Sequence, residues 1–199
     1  MRSTMHAVLS NVGMRPEVTE ADDLVLGLLA GDHDALRACY SMHHQSVRAF
    51  ARRLTGDADV AEDLVHETFL SLMSAIRNYR GDNTLRSFIL GIAVQHARHH
   101  LRSSVRRRSM IDRAGEAPPP SSPTPETATS RKQLAAVLTR ALDKLPEDQR
   151  IAFVLCEVEE RTSREVAAIV GAKEETVRAR LFHAKKKLRD ILNEEGEGR

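Results

Sequence analysis

Apolar residues recur along this chain at spacings of three and four, and strand-like alternation is hard to find. The pattern predicts helices throughout. A short one is expected from Ala21 to Leu29, stopped by Gly31. Between Asp34 and Leu54 the residues Leu36, Tyr40, Val47, Phe50, Ala51 and Leu54 share one face, and Gly56 ends that helix. Asp57 or Asp59 can cap the next, whose core stripe is Val60, Leu64, Val65, Phe69, Leu72, Met73 and Ile76. A further helix is expected from about Leu85 to Arg102, with Phe88, Ile89, Ile92, Ala93, His96 or Ala97, and His100 or Leu101 inward. After a break, Leu134, Val137, Leu138, Ala141 and Leu142 form another stripe. Pro146 then opens a helix where its missing N–H costs nothing, and Ile151, Val154, Leu155 and Val158 line it.

The polar stretches divide the chain. Residues 1–20 show no firm periodicity and contain Gly13 and Pro16, so a disordered tail is expected there. Glu116 to Ser130 reads EAPPPSSPTPETATS, with five prolines and almost no large apolar side chain. Such a segment cannot bury enough surface to offset its ordering entropy, and its prolines hold it extended. The expectation is an all-α protein of two small helical domains, 21–108 and 131–193, joined by a flexible linker over 109–130, with a short tail at 194–199.

The last stretch, RTSREVAAIVGAKEETVRARLFHAKKKLRDIL from Arg161 to Leu192, reads as two helices around a tight turn. Thr162 followed by Glu165 has the spacing of a capping box. Val166, Ala167 and Val170 share a face, and Gly171 can take the left-handed backbone that stops a helix. A second helix restarts near Lys173, with Val177, Leu181, Ala184 and Leu188 as its apolar stripe. Thr176, Arg178, Ala179, Phe182, His183, Lys186 and Lys187 fall largely off it. A helix-turn-helix with a basic recognition helix has this pattern. An ordinary αα-hairpin with a solvated basic face has it too, and the rest of the chain must decide.

Composition narrows the choice through the distribution of charge. The net charge of +2 excludes a uniformly basic surface. Asp57 to Glu67 carries five acids and no Lys or Arg, whereas Arg98 to Arg113 carries six Arg against one Asp. Lys173 to Arg189 carries seven Lys or Arg against two Glu. Separate acidic and basic surfaces point to at least two kinds of partner, with nucleic acid on the basic ones. Cys39 and Cys156 are far apart and form no CxxC, so each reads as a small buried hydrophobe. No secretory h-region opens the chain and no run of about 18 apolar residues occurs, so a cytoplasmic protein without membrane insertion is expected.

Two further features carry chemistry. Glu62, Asp63, His66, Glu67 and Ser71 lie on the outer side of their helix, as a solvated face or a docking surface for a basic protein. The turn Tyr79-Arg80-Gly81-Asp82-Asn83-Thr84 precedes a helix whose outer side carries Gln95, Arg98, His99 and Arg102, extended by Arg106 to Arg108. An aromatic face, a charged funnel and hydrogen-bonding edges are what unpaired bases need. A solvated basic helix end fits the same residues. His96, His99 and His100 have a spacing that could place nitrogens near one metal, but no acid or cysteine lies close in sequence to complete a shell. No metal and no cofactor is therefore expected.

Taken together, these motifs resemble the group 4, extracytoplasmic-function (ECF) sigma factors of bacterial RNA polymerase. ADVAEDLVHETFLSLM from Ala58 to Met73 looks like region 2.2, and NYRGDNTLRSFILGIAVQHARHHLR from Asn78 to Arg102 looks like regions 2.3 and 2.4. LDKLPEDQRIAFVLCEVEERTSREVAAIVGAKEETVRARLFHAKKKLR from Leu142 to Arg189 looks like region 4. Both modules occur in order, separated by a low-complexity linker with no third domain between them.

The resemblance implies roles for matching positions. Glu62, Asp63 and Glu67 would dock on the β′ clamp helices of core polymerase, and region 4 on the β flap. Tyr79, Arg80 and Asn83, with Phe88, Leu90 and Gln95 nearby, match the site where the family captures a flipped −10 base. Arg98 and Arg102 match backbone-gripping positions, and His99 lies in the same −10 group. Arg178, Ala179, Phe182 and His183 match positions facing −35 bases, while Thr176, Arg180, Lys185, Lys186 and Lys187 are candidates for phosphate contact. The chain departs from the family with Phe88 for the usual Trp, Gln95 for Asn, His99 for Asp or Asn, and Ala179 and His183 for Ser and Arg. An anti-sigma partner is implied, and no catalysis. A stand-alone helix-turn-helix regulator is the alternative, but it leaves the acidic helix, the linker and the base-capture turn without a role.

Overall fold

The computed structural model describes residues 20–114 and 130–197. The tail expected at 1–20 and the middle of the expected linker thus lie outside the described residues, apart from Glu20. Among the described residues the elements are all helical: α1 (Glu20–Ala30), α2 (His33–Thr55), α3 (Ala58–Ala75), a 3₁₀ turn (Ile76–Asn78), α4 (Leu85–Ala114), α5 (Ser130–Asp143), α6 (Glu147–Phe153), α7 (Ser163–Val170) and α8 (Glu174–Glu197). A π-helical turn, Val154–Val158, prolongs α6. None of the helices described is long and apolar enough to cross a membrane.

Local chemistry sets the boundaries. The Asp57 carboxylate accepts from the backbone N–H groups of Asp59 and Val60 at 2.9 and 3.2 Å, fixing the start of α3. Asp32 does the same for α2 through Asp34 N at 2.8 Å. Gly56 ends α2 in the left-handed region at φ 72°. The first module packs α2 against α3 and lays α4 across both. Phe50, Leu54, Leu72, Ile76 and Ile89 are fully buried at its centre. In the second, α6 and α7 pack on α8, burying Ile151, Leu155, Val166, Val177, Ala184, Leu188 and Ile191. Tyr40 departs from its expected stripe: it is 39% exposed, stacked on His44 with centroids 4.8 Å apart.

The modules also pack on each other. α4 lies against α6 and α7, and the end of α2 lies against α5 and the π turn. A Cβ added at Gly91 would stand 3.1 Å from the Ile169 carbonyl oxygen, and one at Gly56 would collide with the Thr139 side chain. The expected inner stripe of α4 is corrected by this burial on two sides. Leu90, Val94, Ala97 and Leu101 are buried along with Ile89 and Ala93, whereas Phe88, Ile92, His96 and His100 are half-buried. The last helix of each module runs longer than the periodicity gives. α4 continues to Ala114, into the segment expected as linker, and α8 continues to Glu197.

Candidate nucleic-acid interface

The C-terminal pair of helices is built as its sequence suggests. Thr162 Oγ1 accepts from the Glu165 backbone N–H at 3.3 Å, and Glu165 Oε2 accepts from the Thr162 N–H at 2.8 Å, completing the capping box. The Thr162 hydroxyl, then its backbone N–H, hold the Glu165 carboxyl below its usual range. Gly171 turns the chain at φ 66°. With Val177, Ala184 and Leu188 buried, the opposite side of α8 presents Thr176, Arg178, Ala179, Phe182, His183, Lys186 and Lys187, all exposed. Phe182 is 65% exposed and meets the His183 ring edge-on at 5.5 Å. An apolar ring among cations suits a thymine methyl beside phosphates. Arg178 is braced by Glu174 one turn earlier. Arg180 stands apart from this face: it is half-buried and paired with Asp148. Lys185 Nζ lies 2.8 Å from Glu157.

In the first module, the turn between the 3₁₀ segment and α4 is held by short-range bonds. The Tyr79 hydroxyl donates to the Asn83 carbonyl at 2.6 Å. Thr84 accepts from the Phe88 N–H through its carbonyl at 3.0 Å and from the Ser87 N–H through its hydroxyl at 3.2 Å. The Tyr79 and Phe88 rings stand 5.2 Å apart, tilted by 59°. These half-buried rings form a ledge beside exposed Arg80 and Asn83. Leu90 does not join them. It is 4% exposed and packed into the core, because α4 is covered on that side.

Beyond the turn, Gln95 and His99 are exposed. Arg98 and Arg102 are engaged by the second module. Arg98 donates through Nε and Nη2 to Asp148 Oδ1 at 3.2 and 3.0 Å, and Arg102 donates through Nε to both Glu147 oxygens at 2.8 and 2.9 Å. A cleft of about 390 Å³ runs between the modules here, lined by Gln95, Arg98, His99, Arg102, Asp148 and Arg180 among others.

Glu62, Asp63, His66 and Glu67 are exposed along α3. Arg48 pairs with Glu62: Nη2 donates to Oε2 at 2.9 Å, and Nε lies 2.8 Å from Oε1. Glu67 Oε2 lies 3.2 Å from His96 Nδ1, and Ser71 Oγ lies 2.8 Å from His96 Nε2. His96 is thus tied into the α3–α4 contact. Among the described residues no group of three His, Cys, Asp or Glu is placed to hold a metal. Sequence reasoning missed Leu70, which is 65% exposed at the end of the acidic face. Its position off the core stripe, three residues after Glu67, was the available signal. It also missed Glu147 and Asp148, which look like ordinary first-turn acids until the fold brings them to α4.

Known proteins match both modules. Residues 39–107 match the family description "Sigma-70 region 2", and residues 135–188 match "Sigma-70, region 4". The chain is 34% identical over 155 residues to the ECF RNA polymerase sigma factor SigE of Mycolicibacterium smegmatis, covering 75% of this chain and 58% of that one. It is 28% identical over 183 residues to the RNA polymerase sigma-H factor of Pseudomonas aeruginosa, covering 86% of this chain and 95% of that one. The chain therefore spans little more than half the mycobacterial relative and nearly all of the pseudomonad one. The sigma factor RpoE of Bartonella quintana, solved in complex with the anti-sigma factor NepR, has the same fold, with a TM-score of 0.55 and 23% identity over 79% of this chain and 96% of that one.

Regions 2 and 4 of a sigma-70 protein are thus both present, in order and in one chain. The chain belongs to the ECF group of the sigma-70 family, RNA polymerase sigma factors of transcription initiation.

Proposed function

We propose that this chain binds core RNA polymerase, directs it to −35 and −10 promoter elements and helps to open the duplex, working in the cytoplasm and without catalysis of its own. One observation carries the reading: an exposed acidic helix and an exposed basic recognition helix occupy two separate modules of one chain. A stand-alone regulator would need only the second. Glu62, Asp63 and Glu67 with Leu70 form the polymerase-docking face of region 2, and region 4 meets the β flap. Tyr79, Arg80, Asn83 and Phe88 receive the extruded −10 base, with Gln95, Arg98, His99 and Arg102 along the strand. Thr176, Arg178, Ala179, Phe182, His183, Lys186 and Lys187 read the −35 element.

A sigma factor of the same fold is known in complex with an anti-sigma factor, which supports a separate protein inhibitor for this chain too. Binding to core polymerase tests the reading. The purified chain is expected to co-elute with core enzyme in gel filtration. Tight binding to promoter duplex with no affinity for core enzyme would instead make it a stand-alone helix-turn-helix regulator.

A further inference from the structure

A groove of about 650 Å³ opens where α1, the start of α2 and the start of α4 meet. Leu24, Gly27, Ala35, Ala38, Met42 and Leu85 form its apolar lining, and Asp23, Asp32 and Asp34 stand around it. α1 and α2 meet within it: a Cβ added at Gly27 would stand 2.7 Å from the Ala35 Cβ. Ala38 and Met42 are exposed, Met42 by 59%. Leu26 and Leu29 of α1 are exposed as well. Neither the polymerase-docking acids nor the DNA-reading residues proposed above belong to this lining. An apolar lining ringed by acids suits a short segment with apolar residues at helical spacing and basic ones beside them.

The chain carries such a segment next to the groove in sequence. Residues 1–19 lie outside the described residues and lead into α1 at Glu20. Met5, Val8, Leu9 and Val12 are spaced three, one and three apart. Four positions are too few to set a period, and a helix so short is marginal alone in water, so the segment read by itself is a tail. A groove supplies the missing packing. Residues 1–16 carry Arg2, His6 and Arg15 and no Asp or Glu, opposite in sign to Asp23, Asp32 and Asp34. Gly13 and Pro16, both turn residues, stand between the four apolar positions and α1. Residues 13–19 are the whole connection. So short a tether keeps the segment at high effective concentration beside Asp23, Leu24 and Gly27 of α1.

We propose that the groove is occupied by residues 1–16 of the same chain, with Met5, Val8, Leu9 and Val12 on its apolar lining and Arg2 and Arg15 beside its acids. The proposal concerns the chain alone and does not rest on the proposed function. A partner helix that used the same groove would have to displace the segment first. Thr84 and Leu85 also line the groove, so its occupant sits beside the end of the turn that leads into α4.

The chain contains no Trp, so an indole placed in the segment is the only one. The test uses the full chain carrying L9W, with emission wavelength and acrylamide quenching as readouts. A38Q/M42Q, added to it, makes the exposed lining polar without changing charge. The indole of L9W is expected to emit to the blue of that in L9W/A38Q/M42Q and to be quenched about tenfold less, the seated-to-free ratio that about 1.4 kcal/mol gives. R2E/R15E, added instead, leaves every described residue intact and keeps the test readable should A38Q/M42Q fail to fold. It is expected to restore quenching at low salt and to do so less at high salt. An indole that is fully quenched in L9W would overturn the proposal. So would one that stays protected in both L9W/A38Q/M42Q and L9W/R2E/R15E, which would place the segment elsewhere. Protection that disappears on dilution, with a mass by light scattering above that of one chain, would make the occupant a second copy and overturn it too. No polymerase or DNA enters these measurements, so failure to bind core enzyme would sink the proposed function separately.

Discussion

The hydroxyl of Tyr79 donates to the carbonyl of Asn83 at 2.6 Å, tying down the turn that leads into α4. The same ring rests against Phe88. Tyr79→Phe keeps the ring and removes the bond, worth about 1 kcal/mol. Open-complex formation, followed by permanganate reactivity of unpaired thymines, is expected to fall about fivefold, with binding to a −35 duplex unchanged. An equal loss in both would mean that the variant had damaged the fold rather than the turn.

Leu70 is a large apolar residue left exposed at the end of an acidic face. Its removal leaves no cavity, so Leu70→Ala should not change the melting temperature. An interface anchor of this kind is worth about 1–2 kcal/mol, so affinity for core polymerase should fall roughly tenfold. Glu67→Lys on the same face should weaken binding as well, and more so at low salt than at high salt. Leu72→Ala, by contrast, empties a fully buried site and should cost about 2–5 kcal/mol of stability in denaturant unfolding.

The capping box at Thr162 and Glu165 predicts a pH dependence. The Glu165 carboxyl titrates below its usual range in the folded chain, so its contribution is present above that range. It is lost as pH falls through the lowered folded value. Thr162→Ala should cost about 1 kcal/mol at neutral pH. The difference between parent and variant should shrink in acid below the ordinary carboxylate range. A difference that grew toward low pH would contradict the sign of this linkage.

Lys186 and Lys187 lie exposed on the face of α8 opposite its buried stripe. As phosphate contacts they should act without regard to sequence. Replacing both by Ala should lower the slope of log affinity against log salt by about 2 on −35 duplex. Phe182→Ala should instead change which −35 sequences bind, at about 1–3 kcal/mol for the preferred base. A set of fluorescent duplexes varied one base at a time separates these outcomes.

The helices themselves could be read from the chain because their signals are local. Asp57, Gly56, Thr162, Glu165 and Gly171 each act within a few residues of themselves, and each holds the boundary expected of it. The stripes of α2, α3 and α8 are legible because each helix has a single buried side. α4 was harder, since Leu90 and Val94 look surplus on a helix packed on one side only. Nothing local marks Gly91 as a point of close approach to Ile169, which is far along the chain. The same holds for Arg98 and Asp148, 50 positions apart. As sequence, they are a free cation and a helix-starting acid; the fold makes them one interaction. Tyr79 was legible from the composition of its turn and Phe88 from helical spacing, but only the family resemblance joined them, because a turn of six mixed residues has no period to read.

The central claim is that this chain confers promoter-specific initiation on core RNA polymerase. Run-off transcription tests it most directly, using core enzyme with and without the chain on DNA from upstream of its own gene and on enriched genomic fragments. A discrete transcript that appears only when the chain is added, and disappears with Leu70→Ala or with Lys186 and Lys187 replaced by Ala, is the predicted result. Core enzyme that yields the same products with and without the chain, on every fragment tried, would contradict the account.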